Sequence, residues 1–112
     1  MITRKVKKKF EAISVGTPPV ADVNAWVQFA RRAYDEGYAV GKEAKLEEQQ
    51  CEKMGRDAWR QCLPLLSDRQ KVPAFVACIA HGLQLRILSA EEARVLMYAA
   101  QMALASLAKA VQ

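Results

Sequence analysis

The sequence is poor in the residues that enzymes most often use for catalysis. It contains one histidine, His81, and three cysteines. Acid–base or nucleophilic catalysis needs a tuned side chain with a partner in hydrogen-bonding reach. Only Cys78 and His81, close together on a predicted helix, could form such a pair. A small buried cysteine beside a histidine that stabilises the last turn of a helix explains both residues without catalysis. We therefore predict that the protein is not an enzyme.

Motifs for metals and cofactors are also lacking. The three cysteines and the histidine together would make a zinc-type ligand set, but no two cysteines have the short spacing of a zinc knuckle. Cys51 and Cys62 lie ~16 Å apart along a helix, too far to share one ion. The five glycines are isolated, and no phosphate-binding loop of the form G-x-x-x-x-G-K-[ST] occurs. The sequence predicts no metal and no cofactor.

Long apolar runs are absent as well. The longest candidate, Pro73 to Ala80, is far shorter than the ~18 apolar residues of a membrane span. The basic N-terminus is not followed by the apolar core of a signal peptide. An odd number of cysteines at irregular spacing is a poor disulfide framework. We therefore expect a cytoplasmic protein with reduced cysteines and no membrane contact.

What the sequence does contain is the composition of a small globular chain. Its 112 residues are 52% hydrophobic and 26% charged, which is ordinary for one folded domain. Gly16, Pro18 and Pro19 are turn and extended-chain signals that separate the first residues from the rest. We predict an arm over residues 1–20 and a single helical domain over residues 21–112.

The segment from Val23 to about Cys62 has no proline and is rich in good helix formers. This pattern predicts one long helix, or two helices broken near Gly55. A continuous helix of this length would span ~60 Å, so part of it would need a partner chain or a bend. At 100° per residue, small and apolar residues share one arc of it: Trp26, Ala30, Ala33, Gly37, Ala44, Cys51, Ala58 and Cys62.

Two capping-box patterns divide the C-terminal part. The first, Ser67 to Gln70, precedes a predicted helix that runs to His81 and ends at Gly82. The second, Ser89 to Glu92, starts a helix that runs to about Ala110. The predicted fold class is therefore all-α. It is a three- or four-helix bundle with one long N-terminal helix, a C-terminal helical hairpin and a basic N-terminal arm.

Positive charge is distributed unevenly along the chain. Lysine and arginine total 17 against 12 acidic residues, and the net charge is +5. The excess lies in the arm, at Arg4, Lys5, Lys7, Lys8 and Lys9. On the predicted long helix, six more basic residues lie within ~60° of one another, opposite the apolar arc and over ~44 Å. They are Arg31, Lys42, Lys45, Lys53, Arg56 and Arg60.

This charge geometry leaves three interpretations open. The basic residues could contact a nucleic-acid backbone, with Tyr34 and Tyr38 beside them as candidates for base stacking. They could instead face a protein partner, or simply be solvated. We predict a non-enzymatic accessory protein that binds nucleic-acid backbone independently of sequence. The alternative is an adaptor or inhibitor that docks on a larger protein through the long helix. The small-residue face predicts a homo-oligomer or a subunit of a complex.

Overall fold

The computed structural model describes Pro18, residues 22–66 and residues 68–111. Every regular element in these ranges is helical, which confirms the all-α class. The remainder of the predicted arm, including its five basic residues, lies outside the described residues, as does Ser67. The elements are α1 (Val23–Glu43), α2 (Glu48–Gln61), a short 3-10 helix (Arg69–Lys71), α3 (Val72–Gln84) and α4 (Ala90–Val111).

The predicted long helix is interrupted between α1 and α2, and the break is not at Gly55. Lys45 adopts a left-handed backbone conformation, with φ of 59°. The amide of Lys45 donates to the carbonyl of Lys42 at 3.0 Å, and the amide of Leu46 donates to that of Gly41 at 3.0 Å. This pair of bonds is the Schellman pattern that ends helices. The prediction of one continuous helix is therefore wrong, and the bend that its length demanded lies at residues 44–47.

Past this turn, α2 packs back against α1. A Cβ placed on Gly37 would lie 2.7 Å from the carbonyl oxygen of Met54, and one on Gly41 would lie 3.0 Å from Sγ of Cys51. Gly55, inside α2, approaches the ring of Tyr34 equally closely. Small residues on both helices thus bring the two backbones together within a helical hairpin. Gly37, Cys51 and Ala58 of the small-residue arc therefore lie on the inner surface of this hairpin.

The chain divides into two compact units. The described part of the first is Gln28–Cys62, which contains α1 from Gln28 onward and all of α2. Val40 and Met54 form a buried cluster within it, with Ala44 and Leu46 packed alongside. The second unit contains Pro18, residues 22–27 and the described chain from Leu63 onward. The prediction of a single domain over residues 21–112 stays a prediction.

Within the second unit, α3 packs against α4. Phe75, Cys78 and Ile79 of α3 are buried, and Val76 is half-buried. Pro73 lies in the first turn of α3, where its missing amide hydrogen costs nothing. Just before α3, the carboxylate of Asp68 accepts a hydrogen bond from the amide of Gln70 at 2.9 Å and caps the 3-10 helix.

The end of α3 differs from the prediction in the same way as the end of α1. Gly82 is buried inside the helix, which continues to Gln84. Arg86, with φ of 62°, takes the left-handed position. The amide of Ile87 donates to the carbonyl of Gly82 at 2.8 Å, and that of Arg86 donates to Leu83 at 3.1 Å. A second Schellman pattern therefore ends α3, with arginine where glycine is usual.

The start of α4 confirms the second capping box. The amide of Glu92 donates to Oγ of Ser89 at 3.1 Å, and the amide of Ser89 donates to the carboxylate of Glu92 at 3.1 Å. These reciprocal bonds satisfy two backbone amides that would otherwise lack partners. Ala93 and Ala100 are buried on the inner side of α4.

Candidate nucleic-acid interface

The basic residues predicted on one helix lie on three different elements. Arg31 and Lys42 are on α1, Lys45 is in the turn, and the other three are on α2. A single straight track of ~44 Å requires a continuous helix, and the turn at residues 44–47 removes it. The arm residues Arg4 to Lys9 lie outside the described residues. Among the described basic residues, the turn therefore changes which ones share a face.

The three basic residues of α2 do share a face. Lys53, Arg56 and Arg60 follow one another at spacings of three and four residues, so they line one side of the helix over ~10 Å. Lys53 and Arg60 are exposed, and Arg56 is half-buried. The opposite side of α2 is buried and carries Cys51, Met54, Gly55, Ala58 and Trp59. We call the surface formed by Lys53, Arg56 and Arg60 the α2 basic face. Its position follows from hairpin formation, because burial of one side of α2 leaves these residues outward.

Lys42 has partners of its own within the hairpin. Its Nζ forms a salt bridge of 2.5 Å with the carboxylate of Glu48, which also accepts a hydrogen bond from the hydroxyl of Tyr38. The same Nζ lies 5.4 Å from the centroid of the Tyr38 ring, in cation–π range. Hydrogen bonding to Glu48 raises the pKa of Lys42, and hydrogen bonding to Lys42 and Tyr38 lowers the pKa of Glu48. Glu48 already neutralises the Lys42 charge locally.

This arrangement was not predicted because Glu48 faces Lys42 only after the chain turns. On a continuous helix, these two residues are six positions apart and point to different sides. The detectable signal lies in the turn itself: Glu47 and Gln50 have capping-box spacing, and the amide of Glu47 donates to Oε1 of Gln50 at 3.3 Å. A helix start at Glu48 could have been inferred from this pair.

The two tyrosines proposed for base stacking make contacts with other residues of the α1–α2 hairpin. Their rings stack on each other, with centroids 6.5 Å apart and an angle of 14° between the planes. Tyr34 also packs on Gly55. Burial, followed by the nearby charge of Glu52, raises the pKa of Tyr34. Hydrogen bonding to Glu48 raises the pKa of Tyr38. These contacts account for both rings as parts of the hairpin.

The cysteines are buried and carry free thiols. Desolvation raises the pKa of Cys78 to about 12. Burial, with a contribution from the charge of Glu36, raises the pKa of Cys62 to about 11. Since the thiolate is the nucleophile, Cys78 is poorly suited to act with His81. Among the described residues, no group of three or more His, Cys, Asp or Glu side chains is arranged to hold a metal ion.

Gly37, a member of the small-residue arc that predicts an oligomer, faces α2 of the same chain, as does Gly41. Self-association would need a different surface from the predicted one. No helix in the described part of the chain has both the length and the apolar character needed to cross a membrane. In comparisons with known proteins, the chain matches no family model, no curated protein and no solved structure.

Proposed function

We propose that the protein is a non-enzymatic accessory protein that binds nucleic-acid backbone without reading its sequence. The α2 basic face makes the central contact, and Lys45 in the adjacent turn and Arg31 on α1 extend it. The arm residues Arg4, Lys5, Lys7, Lys8 and Lys9 add a second, electrostatic attachment. This proposal keeps the predicted architecture of a helical bundle with a basic N-terminal arm.

The observation that carries the proposal is the segregation of charge on α2. Three cations line one side of a helix whose other side is buried, so they are presented on a rigid element. By helical spacing, Glu52 and Asp57 lie beside the α2 basic face, whereas Glu48 lies away from it and pairs with Lys42 of α1. A line of cations bordered by acidic residues fits a narrow phosphate backbone better than a broad acidic surface.

Lys42 has a smaller role in this proposal than the sequence suggests. Its salt bridge with Glu48 would have to open, or be shared, before Lys42 could contact a phosphate. A contact that replaces one ion pair by another contributes little to affinity. We therefore assign Lys42 to the stability of the hairpin first and to nucleic-acid binding second.

The alternative function is an adaptor or inhibitor that docks on a larger protein through the long helix, which is divided into α1 and α2. The small residues that would have received a partner helix already face α2. An adaptor would have to use another surface, and its binding would require one particular protein. Nucleic-acid binding through backbone contacts requires only phosphates, and this difference separates the two functions experimentally.

The direct test is binding of the full chain to labelled single-stranded and double-stranded oligonucleotides of unrelated sequence, titrated with salt. Three phosphates engaged by the α2 basic face would give a slope of log affinity against log salt of about −3 on duplex DNA and about −2 on single strands. Contacts from the arm would make the slope steeper. Absence of binding at low salt would refute the proposal.

A further inference from the structure

The ring of Tyr34 lies beside the α2 basic face. A Cβ placed on Gly55 of α2 would lie 2.9 Å from Cε2 and 3.0 Å from Cδ2 of this ring. The residue after Gly55 is Arg56, a member of the α2 basic face. Burial raises the pKa of Tyr34, and the nearby charge of Arg56 acts in the opposite direction. An aromatic ring of α1 and a cation of α2 therefore adjoin on one side of the hairpin.

The packing of Tyr34 orients its ring but does not cover it. Tyr34 is half-buried, and the ring of Tyr38 is stacked against it at 6.5 Å between centroids. Tyr38 is half-buried as well, but Lys42 lies over its ring and its hydroxyl donates to Glu48. Tyr34 is therefore the tyrosine that combines a fixed orientation with a cation of the α2 basic face next to it. Rings of this kind accept any base, because every base has a π-face.

The acidic residues beside the α2 basic face bear on the kind of nucleic acid that fits it. By helical spacing, Glu52 borders the face on one side and Asp57 borders it on the other. A helix that enters the major groove of a duplex, ~12 Å wide, has a phosphate strand on each side of it. In that position both carboxylates would lie toward phosphates of like charge. A single strand can instead follow the line of Lys53, Arg56 and Arg60 over ~10 Å and meet only cations.

From these relationships we propose that the α2 basic face and Tyr34 together form a binding site for single-stranded nucleic acid. This inference rests on the proposed function and specifies its ligand. The three cations contact phosphates of one strand, and an unpaired base stacks on the Tyr34 ring. In a duplex the bases are already paired and stacked on one another, so the contact with Tyr34 is lost. The site reads neither base sequence nor sugar, and DNA and RNA strands are equivalent ligands.

The first test measures the affinity of the full chain for three ligands of equal length: a thymine strand, an abasic strand with the same phosphates, and a duplex. Any difference between the two strands comes from the bases. At about 0.15 M salt, the abasic strand should bind at least about fivefold more weakly than the thymine strand, the contribution of one stacked base. The duplex should also bind more weakly, and increasingly so as salt rises, because its phosphate contacts have the steeper salt dependence.

The outcomes of this test separate the inference from the proposed function. Equal affinity for the thymine and abasic strands would overturn the inference, while backbone binding would stand. Tighter binding of the duplex at about 0.15 M salt would overturn it in the same way. Absence of binding to all three ligands at low salt would refute the proposed function and the inference together.

The second test assigns the stacking contact to Tyr34. Its readout is the ratio of the affinities for the thymine and abasic strands, because loss of folded protein would weaken binding to both strands equally. Tyr34→Leu removes the ring and should bring this ratio close to one, whereas Tyr34→Phe keeps the ring and should preserve the ratio. Tyr98→Leu, at an exposed tyrosine of α4, is the matched control and should also preserve it. An unchanged ratio in Tyr34→Leu would overturn the inference.

Discussion

Gly37 lies directly against the carbonyl group of Met54. A Cβ at Gly37 would be 2.7 Å from the Met54 oxygen and 3.0 Å from Cβ of Ala58. Distances this short are not tolerated between carbon and backbone atoms, so the two helices can approach this closely only because residue 37 has no side chain. The α1–α2 hairpin, and with it the outward orientation of the α2 basic face, depends on this contact.

The Gly37→Ala substitution should therefore destabilise the protein. In an open helix, alanine would be more favourable than glycine by about 1 kcal/mol. Here the added methyl group meets a backbone carbonyl that cannot turn away, and overpacking of this kind costs about 1–3 kcal/mol. The urea midpoint should fall. The control Ala39→Gly lies on the exposed side of α1. It should also lower the urea midpoint, but only because glycine has a lower helix propensity than alanine. A rise in the midpoint for Gly37→Ala would contradict the close packing.

Glycine at the two left-handed positions should stabilise the protein. Lys45 and Arg86 both have positive φ, which costs a residue with a side chain about 1–2 kcal/mol relative to glycine. Glycine also has more conformational freedom in the unfolded chain, which offsets part of this gain. The substitutions Lys45→Gly and Arg86→Gly should therefore each raise the free energy of unfolding by about 0.5–1 kcal/mol. Thermal and urea unfolding measure this directly. The control Lys53→Gly, in the middle of α2, should instead lower the free energy of unfolding by about 1 kcal/mol, because glycine is unfavourable inside a helix. If Lys45→Gly and Arg86→Gly lost as much as this control, the left-handed assignment would be wrong.

The Glu48 carboxylate should make the hairpin sensitive to acid. Its pKa lies below the ordinary value of 4.5 because Lys42 and Tyr38 donate hydrogen bonds to it. The resulting stabilisation is present above pH 4.5 and is lost as the pH falls through the lowered pKa of the folded state. It is also lost in alkali, because the pKa values of Lys42 and Tyr38 are raised in the fold. All three side chains are solvated, so the effect is small.

The measurement is the urea midpoint between about pH 3 and pH 6 for the unmodified chain and for Glu48→Gln. The unmodified chain should lose more stability over this range than the variant, whose residue 48 does not titrate. Glu91→Gln, which removes an exposed carboxylate from the first turn of α4, is a matched control outside the hairpin. Equal acid dependence for the unmodified chain and Glu48→Gln would show that Glu48 is not hydrogen bonded as described.

The cysteines should react slowly in the folded protein. Burial raises the pKa of Cys78 to about 12 and that of Cys62 to about 11, so neither thiolate is appreciably populated near neutral pH. Labelling with a thiol-specific disulfide reagent should be slow under native conditions and rapid for all three cysteines in denaturant. Under native conditions, the labelling rate should depend on how often the structure opens and exposes the thiols. A destabilising variant such as Gly37→Ala should therefore increase this rate. Labelling of native Cys78 faster than that of a free thiol would revive a catalytic role beside His81.

Much of the helical architecture could be predicted from local sequence signals. The Ser89–Glu92 box fixes the start of α4, and Pro73 fits the first turn of α3. Both signals act through side chains within one turn of the residues they affect, so periodicity and capping rules find them. The buried positions of α3 also follow from helical spacing alone.

The two missed helix ends share one physical cause. Prediction places helix ends at glycine, but Lys45 and Arg86 occupy the left-handed positions, and the nearby glycines lie inside helices. Gly41 and Gly82 instead accept the bonds that close each helix. The relation of Lys42 to Glu48 was missed for the same reason, because it exists only after the turn at Lys45. Capping rules do not find these two ends, because they favour glycine at the left-handed position and both ends have a long basic residue there.

The charges on α2 illustrate what sequence can and cannot provide for the candidate site. Helical spacing alone groups Lys53, Arg56 and Arg60, and this grouping remains after the long helix is divided. Helical spacing could not show that Lys42 pairs with Glu48. It also could not show that α2 of the same chain covers Gly37 of the small-residue arc. A pattern along one helix describes a surface correctly only as far as that helix extends.

The most direct test of nucleic-acid binding compares two charge-reversed variants of identical net charge. Lys53→Glu with Arg56→Glu changes the α2 basic face, and Arg32→Glu with Arg69→Glu changes exposed cations elsewhere. Affinity for a duplex oligonucleotide is measured for both at several salt concentrations, with circular dichroism to confirm equal helix content. The first variant should lose at least about tenfold in affinity and roughly two units of salt slope, whereas the second should retain most of its binding. Equal loss in both variants, or none in either, would contradict a specific role for the α2 basic face.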